Sequence, residues 1–296
     1  MNSYLEATAR ERLARVFDPG SFQEFLPPSA RVVSPHLGQL NAPVAFDDGV
    51  AVGRARLDGR PVFVAAQEGG FMGGAVGEVH GAKLVGMLRR AIVAAPDAVV
   101  LLLESGGVRL HEANAGLIAV SEVMRAVLDV RAAGIPVIAL IGGANGCFGG
   151  MGIVARCTNA IVMSEEGRLA MSGPEVIETA SGVEEFDARD RALVWRTTGG
   201  KHRYLLGDCQ VLVADSVAAF RAAALAQVAG ATAVALTLSA LEREQAQLTA
   251  RLERFGHVRE PMELWRALGV AAPEALPLLE ADAFVAQVDA LRLGGR

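Results

Sequence analysis

Cysteine and aromatic residues are scarce in this sequence, and their scarcity excludes several classes of protein. The three cysteines, Cys147, Cys157 and Cys209, lie far apart and form no Cys-x-x-Cys pair, so neither a disulfide framework nor a zinc site is indicated. Aromatic residues make up 5% of the chain, too few for the stacking platforms of nucleic-acid-binding proteins. The net charge of −5 at pH 7 likewise argues against a nucleic-acid partner.

Long apolar runs are also missing, although 52% of the 296 residues are hydrophobic. No stretch of about 18 uninterrupted apolar residues predicts a membrane span, and the charged N-terminal segment MNSYLEATARERLARVF does not resemble a secretory signal. We therefore expect a cytoplasmic, globular protein without a membrane partner. The chain is long enough to bury a substantial core.

The usual side-chain signatures of catalysis are absent as well. Ser105 and Ser172 do not lie in a Gly-x-Ser-x-Gly motif, and the five histidines have no metal-ligand spacing. Residues 150–155, GMGIVA, fit the dinucleotide-binding fingerprint, but the preceding strand ends near Ile141, several residues too early for the tight turn of that motif. Neither a dinucleotide site nor a metal site is predicted.

Apolar runs that alternate with helical patterns indicate an α/β fold with a parallel sheet. GVAVGRARLDGRPVFVAAQ predicts a hairpin around Asp58-Gly59, and a helix follows at about 78–95. Beyond it come the strand AVVLLL, a helix at 113–133, the strand IPVIALI, a short helix from Gly149 and the strand NAIVM. We predict a helix and turn segment at 1–44, a core at 45–215 and a helical C-terminal extension at 216–296.

Two glycine pairs follow buried strands, in ESGGV at 104–108 and in FGGMG at 148–152. The carboxyl ends of parallel strands are where ligands bind in α/β proteins, and a helix start leaves backbone N–H groups unpaired. A single glycine pair more often serves a tight turn or close packing. Because two pairs follow successive strands, we expect their N–H groups to converge on one developing oxyanion.

Charged side chains near glycine pairs are candidates for substrate binding or acid–base chemistry. Arg109, His111 and Glu112 follow the first of these pairs, and Lys201 and Arg203 follow another pair at 199–200. The second group could meet a phosphate. Residues of these types are more often loop anchors, interface ion pairs or solvated charges, and both interpretations stay open for them.

Four segments, in this order, resemble the carboxyltransferase branch of the crotonase superfamily: FMGGAVGEVHGAKLVGMLRRAI, ESGGVRL, GGANGCFGGMGIVARCTNAIV and GPEVIE. The resemblance covers residues 45–215. VRLHEANAGL and IGGANGCFGGMGIVARC are most similar to the β subunits of biotin-independent malonate decarboxylases. The sequence departs from the β subunit of bacterial acetyl-CoA carboxylase, which has a four-cysteine zinc ribbon before this domain.

The resemblance implies a crotonase-like superhelix of β-β-α units, in which paired backbone N–H donors stabilise a thioester enolate. By position, the turn of Gly106, Gly107 and Val108 supplies the first donor, from Gly107 or Val108, and Gly149 or Gly150 supplies the second. The implied reaction is decarboxylation of a malonyl thioester held on the coenzyme A-like prosthetic group of an acyl carrier protein. The site would be shared with a homologous γ subunit, and no cofactor is expected on this chain.

Two other functions stay open. The chain could be the carboxyltransferase β subunit of a biotin-dependent acyl-CoA carboxylase, in which the same enolate exchanges CO2 with biotin. It could also be a non-catalytic scaffold for a homologous catalytic subunit. A monofunctional crotonase such as an enoyl-CoA hydratase is disfavoured, because no paired glutamates stand out where the two glycine turns would meet.

Overall fold

A seven-stranded sheet forms the centre of the protein in a computed structural model that describes residues 2–230 and 236–294. The strands lie side by side in chain order. They are β1 (Gln23–Glu24), β2 (Val50–Leu57), β3 (Arg60–Gln67), β4 (Ala98–Leu103), β5 (Val137–Ile141), β6 (Ala160–Ser164) and β7 (Val211–Val213).

The sheet begins antiparallel and continues in parallel. β1, β2 and β3 pair antiparallel, and from β3 onward each strand pairs in parallel with the next. β2 and β3 form the predicted hairpin, whose turn residues Asp58 and Gly59 have φ of +53° and +76°. Two adjacent positive φ angles suit the turn type that matches strand twist. The parallel run places the carboxyl ends of β3 to β6 at one edge of the sheet.

Helices cover both faces of this sheet. They are α1 (Ala9–Val16), α2 (Glu78–Ala94), α3 (Asn114–Ala132), α4 (Gly149–Arg156), α5 (Pro174–Ser181), α6 (Arg191–Thr198), α7 (Gly200–Leu205), α8 (Val217–Gly230), α9 (Leu238–Phe255), α10 (Pro261–Ala267) and α11 (Ala281–Val288). Across residues 2–230 and 236–294, none of them combines the length and hydropathy that crossing a membrane requires.

Alternate residues of the central strands enter two different cores, because successive side chains of a strand point to opposite faces. The odd-numbered residues of β4 pack beneath α2, α3 and α4, and the even-numbered ones pack with α1 and α8. All six β4 side chains are buried. This explains why the strand reads as a continuous apolar run rather than an alternating one.

The predicted alternation of strands and helices is confirmed. The helix predicted at 78–95 is α2, the helix predicted at 113–133 is α3, and α4 begins at Gly149 as expected. The sequence analysis did not identify β7, α6 or α7, each of at most eight residues. Such short elements have too few turns for a hydrophobic period to stand out.

The N-terminal residues contact α8 and the residues before it on one face of the sheet. Tyr4 stacks on Phe220 of α8 with ring centroids 3.8 Å apart. The Asp215 carboxylate accepts hydrogen bonds from the backbone N–H groups of Tyr4 and Leu5 at 3.1 and 2.9 Å. α1 and α8 therefore share a core, although the sequence analysis assigns them to the segments 1–44 and 216–296. The division at 45 and 216 stays a prediction.

A second, shorter layer of pairing lies beyond the strand ends. Isolated parallel bridges join Val76 to Val108, Ser105 to Cys147, and Cys147 to Leu169. The loops that follow β4, β5 and β6 therefore keep the register of the strands that they leave. These bridges hold the two glycine turns at fixed positions along the carboxyl edge of the sheet.

Candidate oxyanion site

The first glycine turn directly follows β4, and the second is where the loop after β5 enters α4. Backbone hydrogen bonds join the two loops: Ser105 N–H donates to the Gly146 carbonyl, and Phe148 N–H donates to the Ser105 carbonyl, both at 2.8 Å. The turns are therefore neighbours in space. They are about forty residues apart in sequence, but the strands that precede them, β4 and β5, pair directly in parallel.

The close approach of the two backbones requires glycine at position 149, and the φ angles favour glycine at both positions. A Cβ placed on Gly149 would lie 3.0 Å from the Gly107 Cα, nearer than nearly all real contacts of this kind. Gly107 and Gly149 have φ of +130° and +58°, a region that costs other residues free energy. Gly149 therefore lets the two peptide groups approach where a side chain would keep them apart.

The amides of the first turn are not equivalent. Gly106 N–H donates to the Gly73 carbonyl at 2.8 Å, and Gly107 N–H donates to the Ser105 Oγ at 3.2 Å. Within residues 2–230 and 236–294, no hydrogen bond involves the N–H of Val108. Of the candidates left open by the sequence, Val108 therefore has the amide available for a ligand.

The second turn shows the same division. Gly149 N–H donates to the Met171 carbonyl at 2.9 Å, so its hydrogen is already used. The next amide, Gly150 N–H, has no hydrogen-bond partner in the described part of the chain. It lies in the first turn of α4, where the partial positive charge of the helix adds to its attraction for an anion.

Arg109 and Glu112 lie behind the first turn and are fully buried. Arg109 Nη1 donates to the Asp48 carboxylate at 2.7 Å, and its Nη2 donates to the Asp48 carbonyl at 2.8 Å. Glu112 accepts from the Glu78 N–H at 2.8 Å and from the Ser34 hydroxyl. Both side chains are 0% exposed in this chain. Their contacts are those of loop anchors, and a direct role in substrate binding stays a prediction.

His80 is a neutral member of the hydrogen-bond network that Arg109 and Asp48 form behind the first turn. Its Nδ1 faces the Asp48 carbonyl at 3.1 Å, and its Nε2 faces the Gln67 side-chain nitrogen at 3.0 Å. A carbonyl can only accept and an amide nitrogen can only donate, so Nδ1 carries the proton. Burial, and then the charge of Arg109, lowers the pKa of His80 to about 3. The imidazole therefore stays uncharged over the physiological range.

His111 is the most accessible of the predicted side chains near the first turn. It lines a cavity of about 270 Å³ together with His36, Gln39, Leu40, Glu112 and Ala113. His36 pairs with Glu78 across 2.6 Å at the surface. The structure thus leaves His111 free to meet a substrate or a neighbouring subunit, and its role stays a prediction.

Lys201 and Arg203 are engaged by groups of their own chain. Lys201 Nζ donates to the Pro277 carbonyl at 2.9 Å and lies 3.2 Å from the Glu165 carboxylate. Arg203 Nη1 donates to Asp208 at 3.0 Å. A phosphate at this cluster would have to compete with these partners. Binding of coenzyme A-like phosphates by Lys201 and Arg203 stays a prediction.

Nucleophilic and metal-binding side chains do not converge on the turns. Burial raises the pKa of the Cys147 thiol, and it raises that of Cys209 to about 12, so neither is a thiolate at neutral pH. The Ser105 hydroxyl is buried and closes its own turn by donating to the Gly107 carbonyl at 3.2 Å. Among residues 2–230 and 236–294, no group of three or more His, Cys, Asp or Glu side chains could hold a metal ion.

The comparisons with known proteins place the chain in a family. A model of the carboxyl transferase domain matches residues 5–215. The chain belongs to the carboxyl transferase family. It is 43% identical over 308 residues to the malonyl-S-ACP:biotin-protein carboxyltransferase MADC of Malonomonas rubra, covering 98% of this chain and 96% of that protein.

Solved structures agree with this assignment and confirm the crotonase-like fold class. One chain in the crystal structure of a Pseudomonas malonate decarboxylase hetero-tetramer in complex with malonate matches with a TM-score of 0.81. The identity is 40%, and the match covers 88% of this chain and 94% of that chain. The transcarboxylase 12S structure matches with a TM-score of 0.64 at 27% identity, covering 75% of this chain and 41% of the other.

Proposed function

We propose that this chain is the β subunit of a biotin-independent malonate decarboxylase, a cytoplasmic carboxy-lyase. Together with a homologous γ subunit it would convert malonyl-S-acyl carrier protein into acetyl-S-acyl carrier protein and CO2. The similarity to subunits of malonate-decarboxylating systems supports the reaction, and the match to a chain of a hetero-tetramer supports a subunit partnership. The substrate thioester would be carried on a coenzyme A-like prosthetic group of the carrier protein.

The observation that carries the mechanism is the pair of unpartnered amides on adjacent turns. Loss of CO2 from a malonyl thioester leaves an electron pair that delocalises onto the thioester oxygen. This charge develops in the transition state, so donors that are already in place stabilise it more than the ground state. The N–H groups of Val108 and Gly150 are the two donors. Each contributes about 3–4 kcal/mol in comparable sites, so the pair would lower the barrier by about 5–8 kcal/mol.

In this mechanism the stabilising groups are backbone amides, and the side chains near the turns do not have to stabilise the enolate. A peptide N–H does not titrate, so the donors keep their hydrogen at any pH at which the protein is folded. The proposal assigns no resident cofactor or metal to this chain. The proton that completes the acetyl group comes from a group not yet identified, for which His111, Glu112 and water are candidates.

A proline at position 150 tests the second donor. Proline removes the N–H and is tolerated in the first turn of a helix. Any Cβ at Gly150 would lie 2.5 Å from a methyl group of Val120, so the substitution is best made in a Val120→Ala background. Gly150→Ala in the same background adds the Cβ and keeps the N–H, which makes it the matched control.

We expect kcat for CO2 release from malonyl thioester to fall about 100- to 1,000-fold in the proline variant relative to the alanine control. Both variants should assemble with the γ subunit and the carrier protein. Equal turnover in the two assembled variants would instead support the scaffold function, in which the donors belong to the partner chain.

A second candidate function is transfer of the carboxyl group to biotin. It is favoured by the name of the Malonomonas relative, a biotin-protein carboxyltransferase that is 43% identical to this chain. The enolate and its donors would be the same, and only the fate of CO2 would differ. Turnover of the reconstituted complex in the presence of avidin separates the two: continued CO2 release supports direct decarboxylation, and complete loss supports transfer to biotin.

A further inference from the structure

Glu104 stands at the junction between β4 and the first donor turn, and its side chain turns inward. The carboxylate is 6% exposed. One oxygen, Oε1, accepts from both the backbone N–H and the side-chain Nδ2 of Asn145, each at 3.1 Å. Asn145 lies in the loop that leads from β5 to Gly149 and Gly150. A single carboxylate therefore connects the residues before one donor turn with the residues before the other.

The loops after β3 and β5 lie against this carboxylate so closely that neither has room for a side chain at Gly69 or Gly143. A Cβ on Gly143 would lie 2.2 Å from the Glu104 carboxyl group, and a Cβ on Gly69 would lie 2.1 Å from it. Asn145 Nδ2 also donates to the Gly69 carbonyl at 3.0 Å. The loop after β5 is thus wrapped around the Glu104 side chain.

Backbone hydrogen bonds connect this loop directly to both donor turns. One residue beyond Asn145, the Gly146 carbonyl accepts from Ser105 N–H at 2.8 Å. Two residues further, Phe148 N–H donates to the Ser105 carbonyl at 2.8 Å. A shift of Asn145 away from Glu104 would therefore change the spacing between the N–H groups of Val108 and Gly150.

The charge of Glu104 is balanced by Arg12, which reaches it from α1 on the other side of the sheet edge. Arg12 Nη1 donates to Oε2 of Glu104, and Arg12 Nε donates to the Tyr4 carbonyl at 2.9 Å. The Arg12 side chain is 2% exposed, so it has no surface for a substrate. A buried pair of this kind is costly to break, because either partner alone would be an uncompensated charge.

We propose that Glu104 is a positioning residue of the oxyanion site: its carboxylate fixes the loop after β5 against the first donor turn, and Arg12 supplies the counter-charge. The inference rests on the proposed function, because it assigns a purpose to the spacing of the two donors. It adds that this spacing is set by a buried ion pair that neither the substrate nor the partner subunit touches.

Glu104→Gln tests the proposal, because it keeps the shape and replaces one acceptor oxygen by a donor, which removes either the interaction with Arg12 or the two interactions with Asn145. The amide nitrogen must face either Arg12 or Asn145, both of which are donors. In the assembled complex, we expect kcat for malonyl thioester decarboxylation to fall about 10- to 100-fold, the loss that a small misplacement of catalytic groups causes. KM should change less than about twofold, because donors that act on the transition state contribute little to substrate binding.

Asp18→Asn is the matched control. Asp18 also accepts from one guanidinium, Arg221 Nη2 at 2.6 Å, and from two N–H groups, those of Asp58 at 2.9 Å and Gly59 at 2.8 Å. It lies at the hairpin turn, at the opposite end of strands about 20 Å long. We expect Asp18→Asn to lower the melting temperature while kcat per folded complex stays at the wild-type value.

Asn145→Ala keeps the test open should Glu104→Gln fail to fold. It removes the side-chain hydrogen bonds to Glu104 and to the Gly69 carbonyl and leaves the buried ion pair intact, and we expect a smaller loss of kcat with unchanged KM. Wild-type kcat in both Glu104→Gln and Asn145→Ala would overturn the inference, as would an equal loss in Asp18→Asn. If the wild-type complex itself releases no CO2 from malonyl thioester, the proposed function fails, and the variants are not needed to show it.

Discussion

The turn at 106–108 and the turn at 149–150 use their amides in the same way but are held by different means. In each, the earlier N–H groups bind neighbouring oxygens of the chain, and the last one has no partner among the described residues. The first turn is fastened from behind by buried ionic side chains, above all Arg109 and Asp48. The second is the beginning of a helix and is fastened by backbone hydrogen bonds to Ser105 and Met171.

The difference shows two ways of holding a glycine turn in place. The first turn is held by backbone hydrogen bonds to Gly73 and Val76 and, in addition, by charged side chains that are 0% exposed against it. A helix start is fixed by the helix itself, so the second turn depends on the absence of a Cβ. We therefore expect the first turn to be sensitive to changes of charge at Arg109 and Asp48. The second should be sensitive to added volume at Gly149, besides its dependence on Glu104.

Arg109→Met should give the largest effect, because it leaves Asp48 as a buried, unpaired carboxylate. We expect the free energy of unfolding to fall by about 3–5 kcal/mol, measured by urea denaturation. The double variant Asp48→Asn, Arg109→Met should recover part of this loss, since residue 48 is then uncharged and only the Glu112 carboxylate, 3.7 Å from Arg109 Nη1 in the wild type, still lacks its ion-pair partner. If the loss in the double variant equals the sum of the losses in Arg109→Met and Asp48→Asn alone, the ion pair does not hold the first turn.

Val108→Pro should give a loss of similar size, in turnover rather than in stability. Proline removes the free N–H without breaking a hydrogen bond within the described chain. We expect kcat to fall about 100- to 1,000-fold, close to the effect of proline at position 150. Val108→Ala, which keeps the N–H, should retain most of the activity. A normal kcat in Val108→Pro would assign the donor to another group.

Gly149→Ala tests the sensitivity of the second turn to volume. The new Cβ would press on the Gly107 Cα at 3.0 Å, and we expect a drop in kcat of about 10- to 100-fold from the displaced donors. Gly134→Ala is the control, since Gly134 also has a positive φ, +80°, and no atom within 4 Å of its added Cβ. The control should lose stability and keep its kcat. Equal activities in the two variants would contradict the proposed crowding.

The last prediction concerns the pH dependence of stability, which changes only gradually with each pH unit. Burial lowers the pKa of His80 to about 3. As the pH falls below about 6.5, His80 is therefore protonated in the unfolded chain but stays neutral in the folded chain. Stability is therefore complete above about pH 6.5 and falls below it, by up to about 1.4 kcal/mol per pH unit for this residue. Burial lowers the pKa of His202 to about 3 as well, which adds an equal slope.

His80→Gln should remove about half of this pH dependence, measured as the free energy of unfolding between pH 7.5 and 5. His202→Gln should remove the other half while leaving the network behind the first turn intact. A slope that does not change in His80→Gln would show that the buried imidazole takes up its proton without unfolding the network.

The parts of the site that were predictable from sequence are those that local pattern determines. Apolar runs and helical periods located β4, β5 and α4, and the glycine pairs marked the points where these strands end. The choice between Gly107 and Val108, or between Gly149 and Gly150, was not predictable. It depends on which amides are used by Gly73, Ser105 and Met171, and those contacts exist only in the folded chain.

The partners of the buried charges were not predictable from sequence, for a related reason. Arg109 follows the first turn in sequence, which suggested substrate binding, but its partner Asp48 is 61 residues away. Glu104 lies two residues before the turn, and the sequence predicts no role for it, because its partner Arg12 is 92 residues away. A charged residue beside a glycine turn looks the same in sequence whether it faces a ligand or a buried counter-charge.

The most direct test of the account is a crystal structure of the assembled complex with a malonyl thioester analogue that cannot lose CO2. We expect the thioester oxygen to lie about 2.7–3.1 Å from the backbone nitrogens of both Val108 and Gly150. An oxygen bound only by groups of the partner subunit, or lying away from these two amides, would contradict the proposed oxyanion site.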